Sequence, residues 1–221
     1  MVKVREVATQ EHSRIVPFYR ALMSELRDRI TWLEYAFNGK MGVPQALLEE
    51  FIFLQIRLCC EIIALACVVA HGDIEKARAK RVVKHWSAAQ MFLELEKLTA
   101  DSYPKPFTQE RTMHVVDDSE PVSGWHFAER QDDYLTKEEL VDLYGKCGDR
   151  LHRGRAKNIL ANRPYKQSDL KELVAVVQKM MNLTAIHRIQ MAGAGGQLLC
   201  IMYPDGADEV SVMLGYPHER E

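Results

Sequence analysis

No CxxC, no HExxH and no pair of histidines four residues apart occurs in these 221 residues. Zinc and catalytic metal sites draw their ligands from such spacings, so the eight scattered histidines carry no metal signature and no cofactor is expected. A phosphate-binding glycine loop is missing too. Gly193 to Gly196 follow a predicted helix and precede a predicted strand, the reverse of the order that a dinucleotide fingerprint requires. Charge of one sign is lacking: 29 Lys+Arg against 31 Asp+Glu leave a net charge of −2, which removes any global attraction to nucleic acid or anionic lipid. The opening MVKVREVATQEH has no apolar run of secretory type, so a cytoplasmic location is expected. Five cysteines, an odd number without metal spacing, read as reduced core thiols. Internal repeats, low-complexity blocks and an interdomain linker are absent, and the chain reads as one domain.

What is there is organised around Pro44 to His71, PQALLEEFIFLQIRLCCEIIALACVVAH. Pro suits the first turn of a helix and His71-Gly72 its end. Apolar residues surround almost the whole wheel, which predicts a central helix buried on all sides, with Phe51, Leu58 and Ile62 fully enclosed. The length would cross a bilayer, but Glu49, Glu50, Gln55, Arg57 and Glu61 interrupt it and leave only Ile62 to Ala70 uncharged. Charges in a span are costly, so a core helix is expected and no membrane partner. At about 100° per residue, Glu50, Arg57 and Glu61 share a narrow sector, a buried polar stripe on an apolar helix. Arg57 and Glu61, four apart, can pair with each other, pair with a neighbouring helix, or line a polar pocket.

Around this helix the pattern predicts four more. One covers Val16 to Phe37, with Phe18, Leu22, Leu26, Ile30, Leu33 and Phe37 on one face and Asn38-Gly39 as its stop. A second runs from Asp73 to about Leu98 on a face of Val82, Trp86, Ala89 and Leu93. Thr136 and Glu139 form a capping box for a third, with Leu140, Tyr144, Cys147 and Leu151 inward. Ser168 caps the last, through Leu170, Val174, Val177, Met181 and Thr184 to about Met191. Residues 99–135 break the rhythm. Thr112–Val116 and Trp125–Ala128 have strand character, and a hairpin and an irregular insertion both fit. Beyond 192, Gln197–Tyr203 and Val210–Tyr216 around PDGADE predict a small C-terminal β-hairpin. The expected fold is mainly α: a bundle of about five helices over 1–191, with a hairpin appendage over 192–221.

Charge is segregated locally. Lys146 to Lys166 holds seven bases and one acid, a local +6; Asp117 to Asp142 holds nine acids and two bases, a local −7. Lys146, Arg150, Arg153, Arg155 and Lys157, with His152 and Tyr165 among them, have the chemistry to grip a phosphate backbone. Equally, the two blocks can face each other within one chain or across a dimer. Gly148, mid-helix between Tyr144 and His152 on one face, costs about 1 kcal/mol relative to Ala, a sign that a helix or a ligand approaches closely there.

The Glu50-x10-Glu61 pair around QIRLCCE, together with the later helix end LYGKCGDRLHRG, resembles the HEPN-type helical proteins of bacteria over residues 10–190. That resemblance implies a helical bundle, often homodimeric, acting on RNA or within defence and toxin–antitoxin systems. Ribonuclease members carry Arg, four to six residues, then His, and join these residues from two protomers. The spacing occurs here at Arg78/His85 and Arg5/His12. In the segment most like the family Lys146 stands in the Arg position before His152, and a Lys cannot fork onto phosphate as Arg does. The resemblance thus implies an RNA-associated module, a degenerate ribonuclease with His152 as its candidate catalytic residue. A non-catalytic interaction or inhibitory module, binding itself or another protein, is the alternative.

Overall fold

The structure, a computed structural model, describes residues 2–71, 87–97, 102–114, 122–151, 168–191 and 196–215, with side chains given outside 2–13 and 109–127. It is mainly α, with five helices and one five-stranded sheet among the described residues. Helix α1 (Val2–Phe37) begins fourteen residues before the predicted start, so Pro17 lies inside it rather than in its first turn. It ends as expected: Gly39 takes φ 69°, a left-handed value that glycine adopts without a Cβ penalty, and the Asn38 side chain donates to Glu34 O at 2.8 Å. Helix α2 (Gln45–Ala70) follows, its first turn closed by Leu48 N–H donating to Pro44 O at 3.0 Å. By length and composition α2 could cross a membrane, yet 56% of its most apolar window is buried by the rest of the chain.

Helix α3 (Ala88–Glu96) is the described part of the predicted 73–98 segment, capped by Ser87 Oγ accepting from Gln90 N–H at 3.3 Å. Phe92 and Leu95 point inward and Leu93 is exposed, so the predicted face is out of register; Asp73, Val82 and Trp86 lie outside the described residues. Residues 99–135 contain a hairpin, β1 (Lys105–His114) antiparallel to β2 (Val122–Glu129). Helix α4 (Lys137–Leu151) opens on the predicted box: Glu139 N–H donates to Thr136 Oγ1 at 3.2 Å, and Thr136 N–H donates to Glu139 Oε2 at 2.9 Å. Helix α5 (Leu170–Thr184) is capped by Asp169 rather than Ser168, its carboxylate accepting from Lys171 N–H at 2.8 Å. Its buried face is Leu173, Val177, Met180 and Leu183, which leaves Val174 exposed.

The predicted last helix stops seven residues early. Ile186–Gln190 is instead β3, with alternating burial that puts His187 and Ile189 inward. It pairs antiparallel with β4 (Gln197–Ile201), and β4 pairs with β5 (Ser211–Gly215). Strand β1 joins the other side of β3 through Lys105 and Pro106, giving the order β2-β1-β3-β4-β5. The C-terminal hairpin is therefore part of a sheet that also takes in the 105–129 hairpin, not an appendage. Residues 183–190 hold apolar groups at both helical and alternating spacings, and pairing with β4 decides in favour of the strand.

One core joins the layers. Helices α1, α3 and α4 lie against α2, while α1 also packs on β5 and α5 on β1 and β3. Tyr19, Leu26, Ile30, Ile52, Ile56, Ile63, Leu140, Met180 and Leu198 are buried to within 1%. All five cysteines are free and buried. A polar link crosses this core. The Tyr19 hydroxyl lies 2.5 Å from His187 Nε2, and His187 Nδ1 lies 2.8 Å from Thr184 O. A carbonyl can only accept, so Nδ1 carries the proton and Nε2 accepts from Tyr19 O–H. Burial pushes the His187 pKa down to about 4, against a small opposing effect from the Thr184 carbonyl, and raises that of Tyr19 well above 10.

Candidate functional site: the outer face of the central helix

Helix α2 is apolar on nearly all sides, yet it is enclosed on only part of them. Leu47 is 54% exposed, Leu54 42% and Leu65 37%, and Leu58 and Phe51 are half-buried. At about 100° per residue Leu47, Leu54, Leu58 and Leu65 fall within one 40° sector. They form a leucine ridge about 27 Å long at a rise of about 1.5 Å per residue. Phe51 and Leu58, expected to be fully buried, are not; Ile62, at 6%, is buried as expected. The cause is placement: α1, α3 and α4 cover the inner face and flanks, and no described element covers the ridge.

On one flank, Arg29 of α1 donates to Gln55 Oε1 at 2.7 Å and holds Glu25 at 2.6 Å. Between these helices lies an open groove of about 430 Å³ lined by Trp32, Met41, Phe51 and Gln55, with Glu25, Asp28 and Arg29 on its rim. Trp32 is 55% exposed and meets Tyr35 edge-on with ring centroids 5.5 Å apart. The apolar surface of the ridge thus continues through Phe51 onto α1.

On the other flank lies the predicted polar stripe. Arg57 Nε donates to Glu61 Oε1 at 3.3 Å and Arg57 Nη2 to the Tyr144 hydroxyl of α4 at 2.7 Å. The guanidinium carbon sits 4.3 Å from the Tyr144 ring centroid, a cation–π contact. A Cβ on Gly148 would come within 2.7 Å of Arg57 Nη1, so the close approach signalled by that glycine is the side chain of Arg57. Burial raises the pKa of the Tyr144 hydroxyl, helped by the Glu61 charge and opposed by Arg57. Burial also pushes the Cys147 thiol up to about 12, and Arg57 opposes it. Reciprocally, Arg150 of α4 lies over Phe53 of α2, 5.6 Å from its centroid. Each helix lends an arginine to an aromatic ring of the other. Glu50, the third member of the stripe, is exposed; the buried acid is its neighbour Glu49, whose carboxylate accepts from Ser168 N–H at 3.3 Å.

Of the predicted nucleic-acid contacts, Lys146 is exposed and paired with Asp142 at 2.6 Å, and Arg150 is held on Phe53. His152, Arg153, Arg155, Lys157, Tyr165 and the pair Arg78/His85 lie outside the described residues, as do the side chains of Arg5 and His12. Beside Lys146 a groove of about 760 Å³ opens between α4 and α5 over Phe53. Glu139, Asp142, Asp149, Asp169 and Glu172 line it against three bases, Lys146, Arg150 and Lys179, and Lys179 is bound to Glu139 at 2.7 Å and Asp133 at 3.0 Å. That balance does not suit a polyanion. Among the described residues no group of three or more His, Cys, Asp or Glu gathers where it could hold a metal ion.

Sequence reasoning missed the ridge because Leu47, Leu54, Leu58 and Leu65 read as core by type; their heptad-like spacing of seven, four and seven was the available signal. It also missed the Tyr19–His187 link, which joins residues 168 positions apart and leaves no local mark. No family model matches the chain, and neither does a curated protein or a solved structure.

Proposed function

We propose that this chain is a non-catalytic protein-interaction module whose working surface is the outer face of α2. A single observation carries the reading: four leucines in one 40° sector stay out of the core on a helix whose inner face is fully enclosed. Isolated apolar residues on a surface need no explanation, but a continuous ridge beside an exposed Trp32 and an open groove marks a surface that binds. The arginines nearest the ridge brace α2 against α4, which gives them structural work without any substrate. A photoreactive phenylalanine analogue at Leu54 should crosslink to a protein in the cell, its own copy included, whereas one at the exposed turn residue Asp205 should not. Equal capture at both positions, or none at Leu54, would remove the reading.

A second reading rests on the +6 stretch from Lys146 to Lys166: an RNA-associated, HEPN-like module in which Arg153, Arg155 and Lys157 bind phosphate and His152 is the candidate acid or base of a degenerate ribonuclease. An electrophoretic shift with RNA that fades between low and moderate salt, and weakens on replacing Arg153 and Arg155 by Gln, would favour it. Absence of any shift at low salt, with the fold intact, would remove it.

A further inference from the structure

We infer that the partner of the α2 ridge is a second copy of this chain, docked antiparallel about a two-fold axis that passes between residues 52 and 53 of each α2. The inference rests on the reading of α2 as a docking surface and adds the occupant. Along the outer face, residues 47, 51, 54, 58, 61, 65 and 68 alternate steps of four and three, the spacing by which one helix presents a seam to another. Six of the seven are Leu, Phe or Val, and the seventh is Glu61.

That glutamate decides the orientation. A parallel pairing would set Glu61 against the partner's Glu61 in the seam, two like charges at close range. The antiparallel pairing about residues 52 and 53 instead sets Leu47 on the partner's Leu58 and Phe51 on the partner's Leu54, each contact occurring twice. It brings Glu50 near the partner's Arg57 on one side of the seam, also twice. Glu50 is exposed and has no ion-pair or hydrogen-bond partner among the described residues, while the Arg57 side chain keeps a quarter of its surface in solvent beside Glu61. An antiparallel register one heptad along would place Glu61 beside the partner's Phe51 and Glu50 beside the partner's Glu61. Of these three arrangements, only the one about residues 52 and 53 sets opposite charges together without setting like charges together, and it is self-complementary, as an isologous interface must be. Its centre falls beside Phe51, Leu54 and the groove that exposes Trp32, so each copy offers an aromatic anchor where binding energy concentrates.

Sedimentation velocity of the full chain across a concentration series tests the association, with crosslinking to fix the register. The unmutated protein should dimerise, and Leu54→Glu should weaken dimerisation by roughly 30-fold or more while leaving the circular dichroism spectrum unchanged and, at a concentration where both chains are monomeric, the thermal midpoint too. A mixture of Phe51→Cys and Leu54→Cys chains should join through a short bismaleimide as a mixed dimer, with the five native cysteines buried and silent. Crosslinking of Leu54→Cys alone in preference to the mixture would overturn the antiparallel register. A monomer at every concentration whose ridge still binds a hydrophobic dye, lost in Leu54→Glu, would overturn the second copy as partner and leave the docking module standing. A dimer indifferent to Leu54→Glu would overturn both.

Discussion

On its inner face α2 presents Ile52, Ile56, Cys59, Ile63 and Cys67, each exposed by 1% or less; on its outer face it presents Leu47, Leu54, Leu58 and Leu65, three of them more than a third exposed. The residue types are interchangeable by hydrophobicity, and a difference in neighbours separates them. Inner positions meet α1, α3 and α4, so their transfer from water is completed within the chain. Outer positions keep much of that driving force unspent, and it becomes available for association. Two apolar faces of one helix can thus serve stability and recognition separately.

The largest expected effect lies on the inner face. Ile56→Ala should cost about 2–5 kcal/mol in urea titration, because it removes buried methyl groups and leaves a cavity in a packed core. A cost below 1 kcal/mol would mean that the two faces do not differ.

The second effect concerns pH and the polar link behind that core. His187 is held neutral at a pKa of about 4 against 6.5 unfolded, so the unfolded chain binds more protons between those values. Stability from this group is full above pH 6.5 and falls by about 3 kcal/mol as the pH drops towards 4. Denaturant midpoints at pH 7 and pH 4.5 should show the loss in the unmutated protein and a smaller loss in His187→Asn. An identical slope in the variant would contradict the link.

The third probes the flank where α2 meets α4. Ala at 148 gains about 1 kcal/mol of helix propensity but crowds the guanidinium of Arg57. Gly148→Ala should therefore stabilise by about 1 kcal/mol in an Arg57→Ala background and gain nothing in the unmutated protein. Additive effects in that double-mutant cycle would show that the close contact is without consequence.

The smallest effect belongs to the ridge. Leu54→Ala should cost about 1 kcal/mol, clearly less than Ile56→Ala, when measured at a concentration where the chain is monomeric, because 42% of Leu54 stays exposed in the folded chain. A cost comparable to that of Ile56→Ala would place the ridge in the folding core.

Much of this fold was legible in the sequence and the candidate site was not. The central helix, the Asn38-Gly39 stop, the Thr136/Glu139 box and the inward face of Leu140, Tyr144 and Cys147 follow from local rules of spacing and capping, and the structure keeps them. Where tertiary pairing outweighs local preference the structure departs from the pattern: Ile186–Gln190 is a strand because β4 pairs with it, and two separate β segments form one sheet. Phe18, Leu93 and Val174 lie on faces that the spacing predicts inward and are exposed, since an apolar side chain does not state which way its helix is turned. Gly148 did signal a close approach, although only the structure names Arg57 as the group that makes it. The ridge stayed hidden for the same reason as Phe18: hydrophobic type predicts burial somewhere, in a core or under a partner, and pattern alone does not choose between them.

The central claim is that the α2 ridge is open within one chain and covered by another molecule, and labelling of a single cysteine at Leu54→Cys tests both halves. All five native thiols are buried, with the pKa of Cys59 and Cys147 raised to about 12, so the maleimide signal belongs to position 54. The rate should be fast in dilute protein and should fall as concentration rises and a second copy covers the site. A slow rate at every concentration would show the ridge to be closed within the fold; a fast rate at every concentration would show that no second copy covers it.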